Sequence, residues 1–167
     1  MGFQQSTQWI KNQGFNGFKT IAELQVSKLM SVPKSPGVYL ILKNHITKPE
    51  FLAKSPAGWF KGKDPSIDPV ELRMRWISES PILYIGKAGS SGSRSTLRSR
   101  IKSYLSHGEG RKVGHWGGRA IWQLIDSEQL IVSWRIICSE EPREFEKRWL
   151  EKFQNVFGSW PFANRTG

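Results

Sequence analysis

Glu146 is a carboxylate at a position where the helical pattern of its segment favours an apolar side chain. At about 100° per residue, the apolar side chains of this segment fall on one arc about 140° wide: Phe145, Trp149, Phe153 and Leu150. Glu146 lies inside the arc, at about 100°. A carboxylate among aromatic side chains needs a cation, a strong donor or a shifted pKa. Glu146 therefore has a chemical role, or it extends to solvent from the edge of the stripe, or it pairs with a nearby arginine.

Other side chains have the chemistry to act with Glu146 on a phosphodiester bond. Hydrolysis of that bond needs an activated water, positive charge beside the phosphate and help for the leaving oxygen. One carboxylate suits Mg²⁺, because this ion keeps most of its waters and takes few protein ligands. The guanidinium of Arg100 can bind two phosphate oxygens at once. Tyr39 would need a neighbouring cation to act as a base, since its ordinary pKa is about 10, and Lys87 is the candidate.

The charge balance favours a polyanionic partner. The 167 residues carry 25 Lys and Arg against 14 Asp and Glu, a net charge of +11. Such a balance favours nucleic acid over an anionic membrane. Six basic residues cluster in one stretch, which indicates phosphate contacts, although a solvated helix face is the alternative. They are Arg94, Arg98, Arg100, Lys102, Arg111 and Lys112.

Cysteine content and hydropathy exclude several classes of protein. Cys138 is the only cysteine, which excludes a disulfide framework and a cysteine-rich zinc site. The first thirty residues lack the apolar core of a signal peptide, and no stretch approaches the roughly 18 apolar residues of a membrane span. We expect a soluble, cytoplasmic protein associated with the nucleoid and with no membrane partner.

The order of the predicted elements indicates a single small α/β (α+β) domain. A capping box formed by Thr20 and Glu23 predicts a helix through about Met30. Residues 43–81 contain five prolines and are predicted to form a long excursion without a central strand. The other predictions are strands at 38–42, 82–85 and 130–138 and helices at 69–76, 97–107, 119–125 and 142–153.

Five motifs, in order along the chain, resemble those of the GIY-YIG nuclease family. Two lie on predicted strands and resemble the halves of the family signature: Gly37-Val38-Tyr39 and Tyr84-Ile85-Gly86. The others resemble its arginine-bearing helix, its glutamate-bearing helix and its closing Pro-x-x-Asn: Leu97-Arg98-Ser99-Arg100, Phe145-Glu146 and Pro161-Phe162-Ala163-Asn164. In motif detail the chain is most similar to the amino-terminal incision module of the bacterial excision-repair nuclease. The resemblance covers roughly residues 36–165.

The resemblance implies a small, mainly antiparallel three-stranded sheet flanked by helices. Residues 36–42 and 82–165 would form the catalytic core, and residues 1–35 an amino-terminal extension with one helix. The family normally joins its first two strands by a short hairpin, whereas Tyr39 and Tyr84 are 45 positions apart. Residues 43–81 are therefore expected to be an insertion.

Target selection is expected to depend on parts of the chain outside the core. The sequence ends three residues after Asn164, where relatives often append a DNA-binding domain. The insertion, the amino-terminal extension and the basic loop at 108–119 are the expected sources of selectivity.

The resemblance also implies a function, that of a DNA endonuclease dependent on Mg²⁺ or Mn²⁺. One ion per site would be held by Glu146, and the products would carry 5′-phosphate and 3′-hydroxyl ends. Tyr39 would be the general base or would orient the water, Tyr84 would hydrogen-bond water or phosphate, and Asn164 would brace the site. Duplex or branched DNA would be cleaved in restriction, repair or mobile-element processing. The sequence does not decide whether the protein is a homodimer.

Two histidines have alternative interpretations. His107 either assists the base or contacts phosphate, or it is a helix-end histidine favoured by the helix dipole. His115 precedes Gly117-Gly118-Arg119 and is expected in a DNA-facing loop together with Arg119. It is not predicted to bind metal, because no second His or Cys stands at ligand spacing.

An aromatic and basic cluster in the insertion also has two interpretations. Trp59 and Phe60, flanked by Lys61 and Lys63, either stack on bases and contact phosphate or form a small satellite core. Trp122, Trp134 and Trp160 are predicted to be core residues. The alternatives to a nuclease are a catalytically weak or inactive DNA- or RNA-binding module on the same fold, and an adaptor domain.

Overall fold

The computed structural model describes residues 6–44 and 48–164, which form a mixed α/β fold. In chain order its elements are α1 (Thr7–Asn12), β1 (Asn16–Thr20), α2 (Ile21–Val26), β2 (Gly37–Leu42), α3 (Pro69–Arg75), β3 (Ile82–Ala88), α4 (Leu97–Gly108), β4 (Ile131–Ile136) and α5 (Pro142–Phe157). Two 3-10 turns, Arg119–Gln123 and Ser127–Gln129, lie between α4 and β4. The parts of the predicted extension, insertion and core that fall on 1–5, 45–47 and 165–167 lie outside the described residues.

The described strands form one antiparallel sheet in the order β1-β4-β2-β3. The sheet has four strands, so the prediction of three is wrong. The sequence pattern does not predict β1, because its residues are mostly exposed and do not alternate between apolar and polar. A bulge between Gly17 and Lys19 also interrupts its pairing with β4, and Phe18 within it has a positive φ of 53°.

Strand β2 is central, and all of its residues are buried. Successive side chains of a strand point to opposite faces, so β2 contributes to two separate cores. Tyr39 and Ile41 pack in the core that contains Leu97, Ile101 and Tyr104 of α4. On the other face, Val38, Leu40 and Leu42 pack with Phe145, Trp149 and Phe153 of α5. Helices α4 and α5 therefore cover opposite faces of the sheet, and the predicted apolar arc of α5 is confirmed.

The predicted capping box is present, but its helix is shorter than predicted. The side chain of Thr20 accepts a hydrogen bond from the Glu23 backbone N–H, and the Glu23 carboxylate accepts one from the Thr20 N–H. Helix α2 ends before Met30, because Lys28 and Leu29 have positive φ angles of 50° and 60°. These left-handed conformations cannot continue an α-helix.

The remaining predicted elements are present with small differences at their ends. Strands β2, β3 and β4 and helices α3, α4 and α5 match the predicted segments. Helix α5 continues past its predicted end and stops before Gly158, whose φ of 70° suits glycine. The helix predicted at 119–125 is a 3-10 turn. None of the described helices has both the length and the apolar character needed to cross a membrane.

The described part of the insertion is packed onto the core. Its one predicted helix, α3, begins after Asp68, whose carboxylate accepts a hydrogen bond from the Val70 N–H. The side chain of Gln123 accepts a hydrogen bond from the Ile67 N–H at 2.6 Å. It also donates to the carbonyls of Ile67 and Leu52, at 2.8 and 3.0 Å. A buried amide on the core side therefore fixes two points of the insertion.

Candidate active site

A surface cavity of about 330 Å³ brings together side chains from three elements and one loop. Strand β3 contributes Tyr84 and Lys87, helix α4 contributes Arg100, and helix α5 contributes Glu146. The loop after β3 lines the remaining side with Gly89, Ser90, Ser93 and Ser95. Four of the predicted catalytic residues thus line one cavity, although they are far apart in the sequence.

Gly86 allows two tyrosines to pack over strand β3. A Cβ at Gly86 would lie 2.5 Å from Cζ of Tyr39 and 2.7 Å from Cε1 of Tyr84. The two rings lie 5.9 Å apart between centroids. Any side chain at this position would displace them, so the glycine of Tyr84-Ile85-Gly86 is required by the close approach of the rings.

The first turn of α4, just before Arg100, is fixed by a helix cap and by contacts with the segment before β2. The side chain of Thr96 accepts a hydrogen bond from the Ser99 N–H and caps the helix. The guanidinium of Arg98 donates to the carbonyls of Val32 and Met30, at 2.7 and 3.0 Å. Arg98 was predicted to bind nucleic acid, but in the structure it holds the segment before β2 against α4. Arg100 lies on a different side of the helix and lines the cavity.

The electrostatics of the cavity centre on one carboxylate. Burial raises the pKa of Glu146, and Lys87 and Arg100 partly offset that effect. Burial and the negative charge of Glu146 raise the pKa of Tyr84 to about 12, against a lowering effect of Arg100. The Tyr84 hydroxyl is therefore neutral at ordinary pH. A further cation beside Glu146 would stabilise its ionised form and reduce the charge that opposes ionisation of Tyr84.

Asn164 binds the backbone of β3 next to the cavity. Its Oδ1 accepts a hydrogen bond from the Ile85 N–H at 2.9 Å, and its Nδ2 donates to the Ile85 carbonyl at 2.8 Å. The Ala163 N–H donates to the carbonyl of Leu83. The chain around Asn164 thus covers the open edge of the sheet and fixes the backbone on both sides of Tyr84.

Tyr39 does not line the cavity but lies behind it. Its side chain is 0% exposed, and its hydroxyl shares a hydrogen bond of 2.9 Å with Nε2 of His115. Burial raises the pKa of Tyr39 well above its ordinary value. His115 is 1% exposed and its ring lies 4.2 Å from that of Tyr104. The prediction that His115 faces DNA is therefore wrong, because its ring fills a buried space behind the cavity.

Two other predicted contact residues are also buried. His107 is 0% exposed, and its Nε2 donates a hydrogen bond to the Gly58 carbonyl at 2.9 Å. Arg119 is 6% exposed, donates to the Pro65 carbonyl and stacks on the ring of Trp116. The expectations that His107 acts on the base or phosphate and that Arg119 faces DNA are corrected by these contacts. Both residues hold the insertion.

The other residues predicted to contact nucleic acid are on the surface. Arg94, Lys102, Arg111, Lys112, Trp59, Lys61 and Lys63 are exposed. Trp59 is exposed, unlike the tryptophans that are predicted to be core residues. Of these, Trp122 and Trp134 are buried and Trp160 is half-buried. These exposed cations give the protein a basic surface near α4 and the insertion.

The cavity fits a magnesium ion better than a zinc ion. In the described part of the chain, no group of three or more His, Cys, Asp or Glu side chains could hold a metal. Glu146 is the acidic residue among those lining the cavity. Zinc takes three or four protein ligands, whereas Mg²⁺ binds through one or two carboxylates, waters and substrate phosphates. Burial raises the pKa of Glu146, so a cation bound beside it would stabilise its ionised form.

No protein-family model, curated protein or solved structure matches this chain. The roles of Tyr84, Lys87, Arg100 and Glu146 therefore rest on the cavity that they share and on the chemistry of their side chains.

Three lining serines were not predicted as site residues. Ser90, Ser93 and Ser95 belong to the Ser/Gly-rich loop after β3. The loop is held at Ser91, whose N–H and hydroxyl donate to the carboxylate of Glu141 just before α5. Composition marks this segment as a loop, but only the position of α5 shows that the loop borders the cavity.

Proposed function

We propose that this protein is a metal-dependent DNA endonuclease of the GIY-YIG type, producing 5′-phosphate and 3′-hydroxyl ends. The observation that carries the proposal is the convergence of Glu146, Arg100, Lys87 and Tyr84 on one cavity. A phosphodiester needs one anionic group for a metal and cationic groups for its own charge, and the cavity contains both. The net charge of +11 supports DNA as the partner. DNA as the substrate also suits a place in the cytoplasm, at the nucleoid.

Each side chain of the cavity has a distinct role in this mechanism. Arg100 binds the nonbridging phosphate oxygens and stabilises the charge that develops on them. Lys87 adds a second positive charge beside the same phosphate. Glu146 would hold Mg²⁺, which when bound supplies Lewis-acid stabilisation of the phosphate charge. Glu146 would be the protein ligand of the ion, because it is the acidic residue among the described residues that line the cavity.

Tyr84 replaces Tyr39 as the residue that meets the attacking water. Tyr84 lines the cavity, whereas the hydroxyl of Tyr39 is buried against His115. With a pKa of about 12, Tyr84 acts as a neutral hydroxyl that orients the water. Positive charge at Glu146 would lower that pKa and so increase the fraction of Tyr84 present as tyrosinate, the form that can accept a proton from water.

Cleavage of supercoiled plasmid with Mg²⁺, Mn²⁺ or EDTA tests the proposal. Glu146→Gln and Arg100→Ala should each lower the rate by about 100-fold or more, since each removes a group that stabilises the transition state. Both should retain DNA binding. Glu151→Gln is the matched control, because Glu151 is exposed on the same helix, and it should cleave normally.

The outcomes separate the nuclease from its main alternative. Undiminished cleavage by Glu146→Gln would show that the metal assignment is wrong. DNA binding without cleavage by the parent protein in either metal would support a binding module on the same fold. The high pKa of Tyr84 is the observation that favours this alternative.

A further inference from the structure

A second cavity, of about 500 Å³, lies between the insertion and the loop after α4. The proposed catalytic mechanism does not use it. Trp59, Phe60 and Lys61 line one side, and Gly110 and Lys112 line the other. We call it the aromatic-basic pocket.

The aromatic-basic pocket is held in place by a close contact at Gly58. The Gly58 N–H donates to the His107 carbonyl at 2.9 Å, and Nε2 of His107 donates to the Gly58 carbonyl, also at 2.9 Å. A Cβ at Gly58 would lie 2.0 Å from the carbonyl oxygen of Arg111, so only glycine fits there. Two backbone segments are thus locked together beneath the pocket. A fixed platform lowers the entropic cost of binding a ligand.

The side chains of the pocket match the chemistry of a nucleotide. Trp59 is 51% exposed, which leaves aromatic surface for a planar ligand. Lys61 lies over the Phe60 ring, with Nζ 5.3 Å from the centroid, and Lys112 is exposed on the opposite side. Among the described residues that line the pocket there is no carboxylate. Aromatic faces stack on bases, and neighbouring cations bind the phosphates of a single strand.

A short stretch of chain connects this pocket to the candidate active site. A Cβ at Gly114 would lie 3.5 Å from Cζ of Phe60, and a Cβ at Gly117 would lie 3.8 Å from the hydroxyl of Tyr84. The chain from Gly114 to Gly117 spans at most about 11 Å. Cζ of Phe60 and the hydroxyl of Tyr84 are therefore separated by on the order of 20 Å or less. At 3.4 Å per stacked nucleotide this is roughly six nucleotides, and fewer in an extended strand.

We propose that the aromatic-basic pocket binds an unpaired base of the DNA strand whose phosphodiester lies in the active-site cavity. This inference rests on the proposed nuclease function and names its substrate class. A paired base already stacks on neighbours at both faces, so it cannot also stack on Trp59 unless it leaves the duplex. The preferred substrate is therefore DNA in which a duplex adjoins an unpaired strand, such as a flap or fork.

Fluorescence anisotropy in EDTA tests this proposal without any cleavage. The probes are a flap, a fork and a fully paired duplex of equal length, each with 2-aminopurine at unpaired or matched positions. The parent protein should bind the flap and the fork more tightly than the duplex. Trp59→Ala should weaken flap binding by about 5- to 100-fold, since stacking on one aromatic side chain has effects of that size. Duplex affinity should stay the same.

Two control variants separate stacking from folding. Trp59→Tyr keeps an aromatic face and should restore most of the flap preference and the change in 2-aminopurine fluorescence. Met74→Ala changes another exposed apolar side chain of the insertion, on α3 outside the pocket, and should have no effect. Thermal unfolding of each variant checks that the fold is retained.

The results distinguish this inference from the nuclease proposal. Equal affinity of the parent for flap and duplex, or equal losses on both in Trp59→Ala, would overturn the pocket assignment even if the protein cleaves DNA. A Trp59-dependent flap preference without any cleavage in Mg²⁺ or Mn²⁺ would instead leave the pocket assignment in place and contradict the nuclease.

Discussion

The cavity of the candidate active site and the cluster directly behind it each contain a buried tyrosine, but only one of the two tyrosines lines the cavity. Tyr84 is 8% exposed and lines the cavity with Glu146. Tyr39 and His115 lie in the buried cluster, at 0% and 1% exposure. The rings of the two tyrosines are only 5.9 Å apart between centroids. In the proposed mechanism, a tyrosine that lines the cavity meets the substrate, and a tyrosine that is only close to the cavity does not.

The buried cluster is arranged to keep its groups neutral. Burial lowers the pKa of His115 to about 3, with a further lowering effect of Arg100. Burial raises the pKa of Tyr39 and of Tyr104. The Tyr104 hydroxyl donates to the Gly118 carbonyl at 2.8 Å. The imidazole of His115 is thus neutral at neutral pH, and the cluster supports the cavity by packing and hydrogen bonds.

Exchanging each tyrosine for phenylalanine is the strongest test of this contrast. Tyr84→Phe should lower the cleavage rate by about 100- to 10,000-fold, because it removes the hydroxyl that orients the water. Tyr39→Phe should lower the free energy of unfolding by about 1–3 kcal/mol, since it leaves Nε2 of His115 without its partner. Its cleavage rate should fall by less than tenfold. Single-turnover cleavage and urea unfolding measure the two effects.

The reverse result would place the chemistry in the buried cluster. A large rate loss in Tyr39→Phe with full activity in Tyr84→Phe would require the cluster to open to substrate. Thermal unfolding of both variants separates a direct effect on the rate from loss of the fold.

The elements of the candidate site could be predicted from local sequence, but the access of each tyrosine could not. Tyr84, Arg100 and Glu146 each lie on an element with a clear local pattern, and the structure places all three at one cavity. Tyr39 and Tyr84 both lie on apolar strands, two residues from a glycine, so their local patterns are similar. The side chain that buries the Tyr39 hydroxyl, His115, is 76 positions away. A local sequence pattern cannot predict a contact between residues so far apart in the sequence.

Parts of the fold escaped prediction for the same physical reason. Strand β1 has polar, exposed residues and a bulge, and it is stabilised by pairing with β4 rather than by its own pattern. The buried contacts of His107 and Gln123 with the insertion are also long-range. Histidine and glutamine look like surface residues in sequence, because their burial depends on distant carbonyl and amide groups.

The pH dependence of stability tests whether His115 is buried and neutral. The folded pKa, about 3, is below the ordinary value of about 6.5, so the unfolded state binds more protons between these values and stability falls as pH falls. From about pH 7.5 to about pH 4.5 the contribution of His115 should decrease by about 2–3 kcal/mol. The groups around it are Tyr39, Tyr84, Tyr104, Arg100 and His107.

His115→Gln isolates this contribution, because glutamine does not titrate and can still hydrogen-bond to Tyr39. Urea unfolding at both pH values should show a smaller loss of stability in His115→Gln than in the parent. Because His107 and the carboxylates titrate in both proteins, only the difference between the two reports on His115. The same loss in parent and variant would mean that His115 is accessible to protons, and the cluster would then resemble the cavity.

Lys87 gives the smallest expected effect and tests the electrostatics of the cavity itself. Lys87 lowers the pKa of Glu146, against the larger raising effect of burial. Lys87→Met should raise that pKa, so Glu146 becomes ionised only at higher pH and the acidic limb of the kcat/KM profile should move to higher pH. At the plateau the rate should fall by no more than about fivefold, because the ammonium is partly exposed to solvent.

Arg143→Met is the matched control for Lys87→Met. Arg143 is exposed, and it lowers the pKa of Glu146 by less than Lys87 does. Equal shifts of the limb in the two variants would show that long-range charge, rather than a cation in the cavity, sets the ionisation of Glu146.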